Sequence, residues 1–234
     1  VVGAAVSAAS LFVFQTLKLP AAGALHAGLD PPLVPAGTAP AAPFPLRDAL
    51  PRVGLVALWM LGPALVAPFF NLYFSREHGL SIERVGFVFA AATAAWALAV
   101  LVSGEIAGRI GAQRLMAWAP LFFAPLMLGL ALAGSAPIAV GLFALQGMIS
   151  PVLNPLIDQW LLGLTPPEHR GAISGWRQVA ADVSAMVGAS VGGVLLAAGA
   201  FDALFLSAGA IGLVGALGLA AGARTTRQLR AVDP

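Results

Sequence analysis

With 234 residues, 59% hydrophobic and only 9% charged, the chain has too few ionisable side chains to wet a soluble surface, where about a quarter of residues are charged. The absence of cysteine excludes disulfides and thiolate metal sites. A net charge of +2, spread between apolar runs, excludes a nucleic-acid face, which needs clustered basic residues.

A membrane span takes about 20 mainly apolar residues, and such runs lie at 1–17, 54–74, 85–104, 115–133, 138–163, 172–200 and 203–222. The fold class expected is therefore an all-α, polytopic membrane protein. The first run opens at Val1 without the charged leader of a signal peptide, and is expected to be a helix already under way. Residues 18–53 contain eight prolines, Pro20, Pro31, Pro32, Pro35, Pro40, Pro43, Pro45 and Pro51, and so predict an extended linker. The six following runs are separated by short turns, which force consecutive helices to lie antiparallel and adjacent. They predict a six-helix bundle over 54–222, followed by a basic tail over 223–234. A soluble helical bundle is excluded because Gly86–Gly104 and Leu115–Ile157 contain no ionisable side chain at all.

Basic residues fix the orientation. If the runs alternate, one side of the membrane receives Lys18, Arg47, Arg52, Arg109, Arg114, Arg170, Arg224, Arg227 and Arg230, and the other only Arg76 and Arg84. The linker and the C-terminus are thus expected to be cytoplasmic.

Within lipid, helices associate through small residues. Ala90, Ala94 and Leu98, with Ala91, Ala95 and Ala99, give the run at 85–104 an alanine-rich face. Gly188 and Gly192 form a GxxxG pair, and Ala208, Gly212 and Ala216 repeat the spacing. Pro63, Pro68, Pro120, Pro125, Pro151 and Pro155 lie inside runs. Each loosens its helix, either for packing alone or around a solute site.

Ionisable groups at membrane depth are expensive and face a cavity or a partner. Asp182 lies roughly 15 Å into its run, with Gln178 one turn away on the same face. Asp158 and Arg177 both fall roughly 9 Å inside the membrane on consecutive antiparallel runs. Either they pair, or each reaches the interface separately, Arg177 by snorkelling. Asn71 and Tyr73 are further candidates for a solute path. So are Gln146, Ser150 and Asn154, whose i, i+4, i+8 spacing draws one polar stripe beside Pro151 and Pro155. His26, His78 and His169 all sit in loops, so haem ligation by a histidine pair and a Ser–His intramembrane protease are excluded. The chain carries no phosphate-binding loop, and neither enzyme activity, cofactor nor metal is expected.

Three segments resemble one family. Gly104-Glu105-Ile-Ala-Gly108-Arg109-Ile-Gly111-Ala-Gln-Arg114 is similar to the cytoplasmic loop signature of the major facilitator superfamily, between the second and third helices of each half. An acidic residue or Asn is usual there where this chain has Gly108; Glu105 is the acidic residue at hand. Pro166-Pro167-Glu168-His169-Arg170-Gly171, followed by Gly175, resembles the turn before the family's eleventh helix. Asn71-Leu-Tyr73 and Gly79-Leu-Ser81 through Gly86 resemble the end of the seventh helix and its external loop.

The resemblance implies the C-terminal half-bundle of a transporter, preceded by its sixth helix and central linker. It also implies a solute site near the midplane, shared with an N-terminal half and lined here by the runs that carry Asn71, Gln146, Asn154, Gln178 and Asp182. The expected function is secondary transport of a small solute by alternating access, with Asp182 the first candidate for coupling to protons or another cation. The expected location is a bacterial inner membrane, and the expected partners are lipid, solute, protons and the N-terminal half. The competing reading is a transport-inactive member serving as a membrane receptor or assembly partner.

Overall fold

In lipid no water is available to the backbone, so each spanning segment must satisfy its own amides and carbonyls. The computed structural model describes Phe44 and residues 46–232, the side chains of 46, 48 and 225–232 excepted. The expected helix at 1–17, residues 18–43 and 45 of the proline-rich segment, and the side chains of the basic tail beyond Arg224 lie outside the described residues. Among the described residues there is no strand. Six helical segments are long and apolar enough to cross a membrane: Ala49–Arg76, Ile82–Ile110, Ala112–Ala131, Ala136–Gly163, Pro167–Ala197 and Phe201–Arg224.

Three of these spans are broken, each just ahead of proline. The first consists of α1 (Leu46–Val66), a 3-10 turn at Ala67–Phe69 and α2 (Phe70–Arg76). The second is unbroken, α3 (Ile82–Ile110), and starts with the Ser81 side chain accepting from the Arg84 amide. The third comprises α4 (Ala112–Trp118), a 3-10 turn at Ala119–Phe122 and α5 (Phe123–Ala131). The fourth comprises α6 (Ala136–Gly147) and α7 (Ile149–Gly163), and the last two are α8 (Arg170–Ala197) and α9 (Phe201–Val232). Pro68, Pro120 and Pro151 each lack the N–H that would bond four residues back, and their rings crowd that carbonyl. The helix therefore restarts with proline in an early turn, where a missing donor leaves nothing unsatisfied.

Three boundaries differ from the hydropathy limits. Helix α1 begins at Leu46, inside the segment expected to be linker, because Ala49 and Val53 are already buried. Helix α3 runs on to Ile110, through Glu105 and Arg109, which pair at i, i+4 on its exposed surface. Charged residues end an apolar run without ending a helix. Helix α9 likewise continues to Val232 rather than giving way to a separate tail.

The core forms around α1, which packs most extensively on α8 and α9. Glycine allows both contacts. A methyl group added at Gly188 of α8 would fall 2.6 Å from the Ala64 Cβ, and one at Gly192 would fall 2.3 Å from the Leu65 carbonyl oxygen. On the other side, a methyl at Gly62 would lie 2.8 Å from the Gly212 Cα, and one at Gly215 would lie 2.5 Å from the Trp59 Cα. Near the α2 end, Phe70, Phe143, Tyr73 and Phe205 interlock, with ring centroids 4.5 Å apart for Phe70–Phe143 and 4.8 Å for Tyr73–Phe205. Packed rings of this kind contribute beyond their buried area.

Candidate functional site

Helix α8 has two unlike surfaces. Ala180, Ser184, Gly188 and Gly192 recur every four residues and are buried against the bundle. Ser184 adds a polar tie: its hydroxyl lies 2.9 Å from the Ala57 carbonyl of α1 and 2.7 Å from that of Ala180 in its own helix, and can donate to either. Away from this stripe, Ser174, Gln178, Asp182, Met186 and Ser190 are all exposed, again at i, i+4 spacing. The Gln178 amide donates to Asp182 Oδ1 at 2.9 Å. Asp182 lies about 18 Å from the start of α8 and about 22 Å from its end, at 1.5 Å per residue.

A carboxylate at that depth cannot rest against hydrocarbon without a cost of about 3 kcal/mol on insertion scales. One amide donor does not remove it. The outward surface of α8 therefore belongs against water or against further protein. Helices α3 and α8 are the two least enclosed of the six spans. On α3 the exposed residues include Ala90, Ala91 and Ala94, small enough for another helix to approach closely.

Asp158 of α7 and Arg177 of α8 are brought together. Arg177 Nε lies 2.7 Å from Asp158 Oδ1, with the arginine side chain 16% exposed and the aspartate 46% exposed. The contact is an ion pair by distance rather than an aligned hydrogen bond. Charge is thus neutralised between consecutive spans, roughly 10 Å from the start of α8.

The remaining candidates separate. Asn71 of α2 is exposed. Tyr73, two residues on, points into the bundle and is buried, and its hydroxyl donates to the Leu130 carbonyl of α5 at 2.8 Å. Its phenol ties α2 to α5 from within the bundle. The stripe of Gln146, Ser150 and Asn154 crosses the interruption at Met148 and is not one continuous helical row. Gln146 is buried in α6, whereas Ser150 and Asn154 of α7 are partly exposed.

In the loop signature, Gly104, Glu105 and Arg109 belong to the last turns of α3, Gly111 forms the turn itself, and Arg114 sits on α4. Gly111 has φ +95°, a region that side-chain-bearing residues rarely adopt. Its amide donates to the Ala107 carbonyl at 2.9 Å, and its carbonyl accepts from the Leu115 amide at 3.0 Å. The reversal between α3 and α4 is thereby closed on both sides by one residue.

Two ties were not anticipated from sequence. Ser184 is one; its place in the row Ala180, Ser184, Gly188, Gly192 was the available signal. The other is Trp96 of α3, whose indole N–H donates to the Ala144 carbonyl of α6 at 3.0 Å. Its ring fills the space above Gly147, where an added methyl would fall 2.1 Å from the Trp96 Cε2. Among the described residues no group of histidine and carboxylate side chains is gathered for a metal ion.

Comparison with known families matches residues 54–232 to the model described as Major Facilitator Superfamily. No curated protein matches the chain.

Proposed function

The chain belongs to the major facilitator superfamily, a family of membrane transporters, and on that premise we propose that it forms one half-bundle of a secondary active transporter that moves a small solute by alternating access. The observation that carries this reading is the exposed pair on the outward surface of α8, Gln178 and Asp182, hydrogen-bonded at mid-span depth. A second six-helix bundle set against α3 and α8 would convert that surface into one wall of a central path, with the solute held between the halves.

The physical chemistry of coupling follows from the carboxylate. When ionised, Asp182 requires water or a cation and so favours a conformation in which its surface is wet. When neutral, it tolerates coverage by the opposing bundle, because the desolvation penalty on its charge is gone. Protonation would then be linked to which side of the membrane the path opens. The Asp158–Arg177 pair ties α7 to α8 nearer the arginine-rich end, where it would keep those two spans moving as one body. The arginine asymmetry supports placing that end in the cytoplasm, in an arrangement suited to a bacterial inner membrane.

The test is solute accumulation by the complete protein in proteoliposomes under an imposed pH gradient. Asp182→Asn is expected to abolish accumulation against a gradient while leaving solute exchange at equilibrium. Undiminished, pH-driven accumulation by Asp182→Asn would remove the coupling role. Solute binding by the wild-type protein without any flux is the result the receptor reading expects.

A further inference from the structure

Away from the outward row of α8, two depressions adjoin on the arginine-rich side of the bundle. One is an apolar groove of about 650 Å³ between the third and fourth spans, walled by Leu115, Phe122 and Leu126 on one side and by Leu145, Ile149 and Val152 on the other. The second, of about 770 Å³, is mixed in character, and Gln113, Arg114 and Arg224 are the polar residues of its lining. They are continuous: Ile110, Arg114 and Trp118 line both.

This sequence of surfaces has the order of a phospholipid. The groove offers hydrocarbon contact and almost nothing to hydrogen-bond. At its mouth, Trp118 is 61% exposed, and an amphipathic indole is suited to the headgroup level. Beyond Trp118 two arginines, Arg114 and Arg224, line one depression, with Gln113 as an additional donor and no acidic residue in the lining of either feature. Neither Arg114 nor Arg224 is ion-paired among the described residues. Arginine offers a planar fork that matches phosphate oxygens bidentately. A neutral lipid would leave that positive charge uncompensated.

We propose that this continuous feature is a binding site for one anionic phospholipid, with an acyl chain in the groove and the phosphate held between Arg114 and Arg224. The assignment needs only the membrane-spanning fold and is independent of any solute that the protein moves.

Native mass spectrometry of the complete protein, delipidated in mild detergent and titrated with phosphatidylglycerol or with phosphatidylcholine of the same chains, tests it. One phosphatidylglycerol should be retained with a preference of about tenfold or more, as expected for two basic groups near an anionic headgroup. Arg114→Gln with Arg224→Gln should bring retention down to the phosphatidylcholine level. Leu145→Trp, which fills the groove from an exposed position and leaves both charges in place, should weaken retention of phosphatidylglycerol as well, with a melting profile showing that each variant is folded. Equal retention of the two lipids by the wild-type protein would overturn the proposal, as would a preference that survives the double substitution. Inorganic phosphate competing fully with the lipid would reduce the feature to a free-anion site and overturn it too. Unchanged retention in folded Leu145→Trp would place the lipid elsewhere.

Discussion

Arg177 of α8 approaches Asp158 of α7 to 2.7 Å, joining two consecutive spans through opposite charges at the same depth. The guanidinium is the more enclosed partner, so the two single substitutions are not equivalent. Asp158→Asn leaves a largely buried positive charge without its counter-ion, whereas Arg177→Gln leaves a half-exposed carboxylate that water can reach. The expected order of thermal stability in detergent is wild type, then Arg177→Gln, then Asp158→Asn. The exchange Asp158→Arg with Arg177→Asp should recover part of the loss. Additive losses in the exchanged protein would show that the two residues act separately.

The contact of α8 with α1 should be intolerant of volume. Gly188→Ala places a methyl 2.6 Å from the Ala64 Cβ and 2.7 Å from its carbonyl carbon, and backbone cannot swing aside as a side-chain end can. A loss of about 1–3 kcal/mol is expected, as for overpacked cores. Gly141→Ala, in α6 with nothing within 4 Å of the added methyl, is the matched control and should be neutral or slightly stabilising. Unfolding in mild detergent with increasing denaturant separates the two.

At the turn between α3 and α4, the two neighbouring glycines should respond oppositely. Gly111→Ala forces a side chain into φ +95° and should cost about 1–3 kcal/mol. Gly108→Ala lies within α3 with open space around it and should gain up to about 1 kcal/mol through helix propensity. Melting temperatures moving in the same direction for both variants would contradict this account of the turn.

Tyr73→Phe removes the hydroxyl that reaches Leu130 and should cost about 1 kcal/mol of stability, the usual net worth of such a bond. Because the phenol is enclosed by the bundle, the half-saturating solute concentration should stay unchanged in an uptake assay. A large shift in that value without a stability loss would return Tyr73 to the solute path.

The gross architecture was legible because lipid imposes one rule on long segments: Gly86–Gly104 has no ionisable side chain and can only be a span. Gly188 and Gly192 were legible as a packing pair because their spacing is local. Helix ends were not, since Glu105 and Arg109 end an apolar run while stabilising the helix that contains them. The partners of glycine were hidden as well: nothing near Gly62 announces Gly212, which depends on how α1 and α9 meet. Polarity alone also could not separate Tyr73, turned inward to a carbonyl, from Asn71, exposed two residues earlier. The stripe from Gln146 to Asn154 failed as a single row because helical spacing was extended across a break that Pro151 imposes.

The claim on which the proposed function rests is that the Asp182 surface of α8 meets water rather than hydrocarbon. This chain contains no cysteine, so Asp182→Cys introduces a single thiol into it, and Leu132→Cys, at an exposed apolar position of the third span's end, provides a comparison. Labelling of the complete protein in membranes with a charged, membrane-impermeant thiol reagent is expected to modify Cys at position 182, with protection by transported solute. Failure of the charged reagent at that position, together with ready modification by a lipid-soluble maleimide, would place the surface in hydrocarbon and contradict the account.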